Sequence, residues 1–348
     1  MNVNYVIRQA IPQDGADVTN LFNHNPDGGR IAISAHYHQD PLYIATKLAP
    51  QTIIAVVQDT TTKQLLGSGM VRLEKNYQVD GIPRPTAVLN SLIVHHTHRR
   101  QGIAKALAQW RIEMAKNRLD DPLLVAGIQQ GNDRSMAVVQ NWAKAIIGPL
   151  QSCLVTTINK QPQADKAISI RWAQPSDLEE IVLKLNQFYR EYLFFAPQTA
   201  QTLSQWLEQS PLSEPTRQYA VAIDGQGNIV AGLGITEQYR FMQMRVANMP
   251  LPLRLLNKVV GIVPADGYLK QSGITHFWFA PDQAAAARLL WQQIRWLVHH
   301  DTTHLTFFYD PRGPFPAIIQ LPRWLPKSDS VLAVSEPVAA DTRLLYSP

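Results

Sequence analysis

Apolar and polar residues alternate along this chain in short, strand-like runs, and a few longer stretches carry a helical period. YVIRQ at residues 5–9 and ISIRW at 168–172 each alternate over five positions, and each is followed by a Pro-containing turn and an Asp placed to start a helix. Thr52–Asp59 and Leu65–Leu73 are β-rich runs around TTTKQ, and Tyr219–Ile223 and Ile229–Ile235 are their like around DGQGN; each pair predicts a hairpin. The pattern then predicts a strand at Ala87–Val94, a helix over about Gly102–Asn117 and a strand at Leu123–Ile128. A helix at about Arg134–Ala145 and a last strand near Ser152–Ile158 complete the first half. In the 102–117 helix, Ile103, Leu107, Trp110 and Met114 form the apolar stripe, and Lys105, Gln109, Arg111, Glu113 and Lys116 fall largely on the other face.

The pattern repeats. Ile7-Arg8-Gln9-Ala10-Ile11-Pro12-Gln13-Asp14 aligns with Ile170-Arg171-Trp172-Ala173-Gln174-Pro175-Ser176-Asp177 as IRxAxPxD, at an offset of 163 residues. Ala55-Val56, Asp59, Gly67 and Gly69 recur in the same order as Ala220-Val221, Asp224, Gly232 and Gly234, at an offset of 165. Two ordered matches at nearly one offset predict a duplicated α/β fold, a mixed sheet flanked by helices in each copy. The copies span residues 1–160 and 167–348 and are joined by the polar linker Asn159–Lys166. A chain of 348 residues also exceeds what one hydrophobic core usually organises.

Charge separates the two copies. Residues 1–160 carry 16 Lys and Arg against 11 Asp and Glu, whereas residues 161–348 carry 16 of each, so the net +5 lies in the first half. That suits an anionic ligand there, and it is too diffuse for nucleic acid. No segment approaches the ~20 apolar residues of a membrane span, the start MNVNYVIRQA lacks the regions of a signal peptide, and the lone Cys153 suits a reducing cytoplasm, which is the expected location. Two histidine groups, His95-His96-Thr97-His98 and His299-His300 with His304, invite a metal reading. His95 and His96 would point to opposite sides of a strand, and no metal is expected at either place. The eight Trp read as core.

Candidate chemistry centres on His98-Arg99-Arg100-Gln101-Gly102-Ile103-Ala104-Lys105. A β-rich run precedes it and the amphipathic helix follows, so Gly102 falls where a strand turns into a helix. Unpaired N–H groups and the positive end of the dipole then face an incoming anion, and Arg99, Arg100 and Lys105 add charge. The second match to the same letters, Gln64-Leu65-Leu66-Gly67-Ser68-Gly69, lies inside a predicted hairpin strand with no helix after it and is read as structural.

Residues 92–107, LIVHHTHRRQGIAKAL, resemble the acetyl-CoA signature of the GNAT N-acetyltransferase superfamily, in which a strand is followed by Arg/Gln-x-x-Gly-x-Gly/Ala and a helix. The resemblance implies two tandem GNAT-like domains, each with a mixed, mostly antiparallel sheet flanked by helices. It also implies a cofactor site in the first: Arg99, Arg100, Gln101, Gly102, Ile103, Ala104 and Lys105 on the pyrophosphate of acetyl-CoA, the backbone of Leu92, Ile93 and Val94 on the pantetheine and acetyl carbonyl, and Asn132 on the cofactor. The expected activity is transfer of an acyl group to a primary amine by direct attack in a ternary complex. The acceptor and the oligomeric state are left open.

The chemistry departs from the family. The family's acid is often a Tyr in the following helix, yet residues 134–145 hold no Tyr; its base is often a Glu on the strand before the loop, where this chain has Asn90 and Ser91. No catalytic acid or base is therefore assigned, and direct attack leaves Cys153 unneeded as a nucleophile. A CoA-binding or protein-interaction module without catalysis is the alternative reading. Glu74 and Asp80 are the acidic residues placed to meet a cationic amine. In the second copy, aligning Val94 with Phe279 puts Ala284 and Ala287 at Arg99 and Gly102, so that copy lacks the loop. Its insertion, Gln238–Gly273, is basic and partly amphipathic; it reads as packing on the junction of the copies, or as a segment that covers substrate or touches a membrane.

Overall fold

The computed structural model describes residues 4–25, 32–322 and 328–347. Its first half runs β1 (Tyr5–Gln9), α1 (Gly15–His24), β2 (Ala32–Tyr37), α2 (Pro41–Leu48), β3 (Thr52–Asp59), β4 (Leu65–Val79), β5 (Ile82–Val94), α3 (Ile103–Arg118), β6 (Leu123–Gln129), α4 (Asp133–Val139) and β7 (Ala145–Thr156). The second half runs β8 (Ile168–Trp172), α5 (Leu178–Tyr189), β9 (Tyr192–Leu193), α6 (Ala200–Glu208), β10 (Arg217–Asp224), β11 (Ile229–Thr236), β12 (Met242–Asn248) and α7 (Leu251–Val260). It closes with β13 (Tyr268–Leu269), β14 (Gln271–Phe279), α8 (Ala284–Leu297), β15 (His304–Tyr309), α9 (Phe315–Ile319), β16 (Ser328–Val334) and β17 (Leu344–Leu345).

One 12-stranded sheet passes through both halves in the order β1-β3-β4-β5-β6-β16-β7-β15-β14-β11-β10-β8. Replacing each strand by its counterpart in the other half reproduces the same order in reverse. The closing strands are exchanged: β16 lies between β6 and β7, antiparallel to both, and β7 continues antiparallel onto β15. Most neighbours are antiparallel, and the two parallel contacts are β5 with β6 and β14 with β15. Both faces are covered. In β3, Ile54 and Val56 pack under α1 and α2 with Val18, Leu21 and Leu42, whereas Ala55 and Val57 pack under α3 with Ile103 and Leu107.

Several boundaries differ from the pattern-based expectation. β4 and β5 extend to a turn at Asp80-Gly81, whose φ angles of 54° and 85° give the geometry that Asp-Gly favours; Pro83 and Pro85 mask the strand in the sequence. The helix expected at 134–145 ends at Val139, because Asn141 Nδ2 donates to the carbonyls of Ala137 and Val138 (3.0 Å each) and occupies the last turn. Ala145 already belongs to β7, which therefore begins seven residues before the expected Ser152. The insertion contains β12, α7 and β13, and β12 pairs along β2 of the first half in a three-stranded sheet, so it does pack on the junction. Leu251 and Leu255 of α7 are nevertheless exposed.

The repeated IRxAxPxD letters form a clasp. Arg8 donates to both carboxylate oxygens of Asp14 (2.7 and 2.8 Å), and Asp14 also accepts from the Ile11 backbone N–H (2.8 Å); Arg171, Asp177 and Gln174 repeat the arrangement. The arginine partner and these bonds hold both carboxyls below their usual range. A depressed carboxyl contributes stability above its unfolded value that is lost as pH falls through its folded one. Arg8→Met is therefore expected to cost about 1–2 kcal/mol in urea unfolding at pH 7, narrowing once pH drops below about 4. A gap that stays constant with pH would contradict the clasp.

Candidate functional site

The two central strands of the first half separate to make a cleft. β5 and β6 pair over only three residues, Thr86↔Leu123 to Val88↔Val125, and then diverge. Between them opens a cavity of about 250 Å³, lined on one side by Leu89, Asn90, Ser91 and Leu92 and on the other by residues 126–129, with Asn132, Ser135 and Trp142 beyond. On the α3 side it meets Ala108 and Arg111.

A bulge shapes the β5 wall. Ser68 pairs with Ile93 and Met70 with Asn90, so Gly69 faces both Ser91 and Leu92, and Ser91 takes φ 50°. The glycines of the second sequence match are explained here. A Cβ on Gly67 would lie 2.9 Å from the carbonyl of Ile93, and one on Gly69 would lie 3.1 Å from Arg111 Nε. Their role is close packing, as the sequence reading held.

At the open end of the cleft, Gly102 is the N-cap of α3 with φ 79° and ψ −7°, a left-handed conformation that glycine adopts without penalty. No side chain caps this helix; its ladder begins with Ala106 N–H donating to the carbonyl of Gly102 (3.0 Å), which leaves the N–H groups of Ile103, Ala104 and Lys105 at the terminus. By contrast, Asp40 caps α2, accepting from Leu42 N–H at 2.8 Å. A β-carbon on Gly102 would meet nothing within 4 Å, so the space in front of these N–H groups is open.

The expected cofactor residues divide by position. Arg100, Gln101 and Lys105 are exposed on the loop and first turn, with Arg100 itself at φ 64°. Arg99 is half-buried, and its Nε donates to the carbonyl of Val94 (3.3 Å), tying the loop to the end of β5. The Ile103 side chain is core, 1% exposed, so only its backbone faces the loop; Ala104 is half-buried beside it. Leu92 and Val94 pack on the α3 side, and Ile93 turns to the α1 side. Asn132 stands across the cleft as the N-cap of α4, its Oδ1 accepting from Ser135 N–H at 3.1 Å.

Other sequence candidates have structural roles. Glu74 pairs with Arg72 (2.7 Å) and accepts from Gln51, and Asp80 accepts the backbone N–H of Ala339 (2.9 Å). β5 ends before the histidine group, so His95 and His96 are not on a strand; their rings stack at 4.5 Å. Burial and the neighbouring His96, His98 and Arg99 hold His95 below its usual value. Among the described residues, no three His, Cys, Asp or Glu come together as a metal site, and no helix is long and apolar enough to cross a membrane. Cys153 is buried, donating to the carbonyl of Phe307 (3.5 Å).

Sequence reasoning missed Arg111, which it set on the exposed face of α3. The structure buries it to 3% exposure in the cleft wall, and burial draws its guanidinium down to about 10, still charged at neutral pH. The small residue at 69, four strand positions after Leu65, was the one available signal.

The second half repeats the bulge and fills the cleft. Gly232 pairs with Trp278 and Gly234 with Thr275, and His276 takes φ 50°, as Ser91 does. Phe315 of α9 packs against Phe277, Phe279 and Phe307, with ring centroids 5.3, 6.4 and 4.9 Å away. The hydroxyls of Tyr219 and Tyr189 donate to the bulge carbonyls of His276 and Phe277. The loop is also shorter: the segment from strand end to helix N-cap is 95–102 in the first half and 280–283 in the second. The gapless alignment that set Ala287 at Gly102 is thereby corrected, since Gln283 holds the N-cap position.

Residues 24–141 match the acetyltransferase (GNAT) family. Among solved structures, N-myristoyltransferase of Saccharomyces cerevisiae with bound myristoyl-CoA aligns with a TM-score of 0.66 at 10% identity, over 98% of this chain and 88% of that one. A tandem GNAT protein from the clavulanic acid biosynthesis pathway aligns with a TM-score of 0.59 at 12% identity, over 96% of this chain and 99% of that one. No curated protein sequence matches this one.

Proposed function

From a chain that carries a GNAT-family acetyltransferase domain over residues 24–141 and a tandem GNAT-like fold, we propose an acyl-CoA-dependent N-acyltransferase that uses acetyl-CoA and a primary amine in the cytoplasm. The observation that carries the reading is the uncapped start of α3. Three backbone N–H groups face open space across a left-handed glycine, with Arg99, Arg100 and Lys105 around them, at the mouth of a cleft between splayed strands. The loop from Arg99 to Lys105 would hold the diphosphate, Leu92, Ile93 and Val94 would pair with the pantetheine arm through their backbone, and Asn132 would face it from β6's side.

An amine with a pKa near 10.4 is neutral in about one molecule in 2,500 at pH 7, so its proton must leave before attack. The cleft lining offers Asn90, Ser91, Asn132 and Ser135 and, among the described residues, no carboxylate, Tyr or His. Ordered water is the proton's route to solvent in this reading. The same lining favours the second reading, a CoA-binding module without catalysis.

Calorimetry with acetyl-CoA and CoA tests the shared premise: binding in the micromolar range is expected, and no heat at high micromolar cofactor would end both readings. Release of free CoA with any member of a broad amine panel then selects the transferase, and no turnover across the panel selects the binding module.

A further inference from the structure

Arg111 has no part in the reading so far, and its surroundings point to one. Its Nε donates to the carbonyl of Leu107 (3.3 Å), and its Nη1 bridges the carbonyls of Met70 and Asn90 (2.9 Å each). Met70 and Asn90 are register partners beside the bulge, so the guanidinium satisfies carbonyls where the ladder is interrupted. Among the described residues its Nη2 makes no hydrogen bond and no carboxylate pairs with it, although the residue is only 3% exposed and lines the cleft. A buried cation without an anion is costly, and a neutral amide could bridge the same two carbonyls. A retained charge here calls for an anion that forms during turnover.

The position fits one atom of the cofactor. From Gly102 to Arg111, α3 advances about 13–14 Å at 1.5 Å per residue. It runs back along β5, since Ile103 lies beside Gly67 and Arg111 beside Gly69. In CoA, about thirteen bonds separate the nearer diphosphate phosphorus from the sulfur; at the ~1.2 Å per bond of an extended chain that is roughly 15 Å. An arm anchored on the loop and laid along the cleft ends near Arg111.

We propose that Arg111 stabilises the sulfur of CoA as a thiolate when it departs, in a cleft that supplies no acid. This rests on reading the Arg99–Lys105 loop as a CoA site. The amine nitrogen bonds to the thioester carbon, the C–S bond breaks with its electron pair on sulfur, and the ammonium proton passes to water. The thiolate, paired with Arg111, takes a proton from solvent as it leaves.

CoA itself is the probe, because the acceptor is unidentified. The ultraviolet absorbance of the bound thiolate is followed against pH, with desulfo-CoA as the blank so that Cys153 cancels. In the wild-type protein the bound thiol is expected to ionise at least tenfold more readily than free CoA. Arg111→Gln, which can still bridge the two carbonyls, is expected to abolish that gain, and Arg111→Lys to keep part of it. Equal titration in wild type and Arg111→Gln overturns the proposal, and so does a wild-type bound thiol that titrates at or above free CoA, a result that decides even if the variant does not fold. Absence of CoA binding to the wild-type protein overturns the cofactor reading instead.

Discussion

Acetyl-CoA is expected to bind the Arg99→Ala, Gly102→Glu double variant at least a hundred-fold more weakly than the wild-type protein, with the fold intact. Both halves of that result follow from the loop. A β-carbon on Gly102 meets no atom within 4 Å, so the glutamate causes no clash, and its backbone at φ 79° costs only about 1–2 kcal/mol. On the proposed reading the ligand would meet a carboxylate at the positive end of α3, where its diphosphate would sit. Arg99→Ala removes a positive charge and releases the tie from Arg99 Nε to the carbonyl of Val94. A combined loss of about 3 kcal/mol corresponds to a factor above one hundred. Lys105→Ala, which removes an exposed charge alone, is expected to weaken binding only several-fold. Calorimetry with a parallel melting curve checks both, and a double variant with unchanged affinity would remove the loop from the site.

Residues 1–160 produced alone are not expected to fold to a soluble native domain. Without β16, β6 and β7 of the first half have no strand between them, and both present an unpaired edge. Leu332, Ala333 and Val334 also leave two apolar clusters that they share with residues of the first half, each residue being at most 2% exposed in the full chain. The fragment is expected in the insoluble fraction or as a state without near-ultraviolet dichroism, and co-production with residues 161–348 is expected to restore it. A soluble, cooperatively melting 1–160 fragment would show that the exchanged strand is dispensable.

The duplication was legible because its letters carry the same physical duty twice. IRxAxPxD spells an arginine clasp on an aspartate at the start of a helix, and the paired glycines spell a bulge that cannot tolerate side chains beneath it. The candidate cofactor loop was legible for a related reason, since a glycine between a strand and an amphipathic helix leaves few local conformations. What escaped was set by distant partners. Nothing local in Ser328–Val334 distinguishes a strand that closes its own half from one inserted in the other. Arg111 lies on the polar side of its helix by periodicity, and only the bulge in β4 and β5, far away in sequence, brings carbonyls to meet it. The plug in the second half likewise depends on Phe315 reaching back to β14, which no spacing announces.

The exchanged strands also bear on how the molecule can move. Enzymes built from two lobes commonly close by rotation about a few connecting residues, but here a ladder runs without a break from β6 through β16 and β7 to β15. Opening that seam would break backbone pairing along three strand interfaces at once. The halves therefore behave as one plate, and any large displacement is left to elements that are not part of it, such as the small β13-β12-β2 sheet and the helix α7 that follows β12.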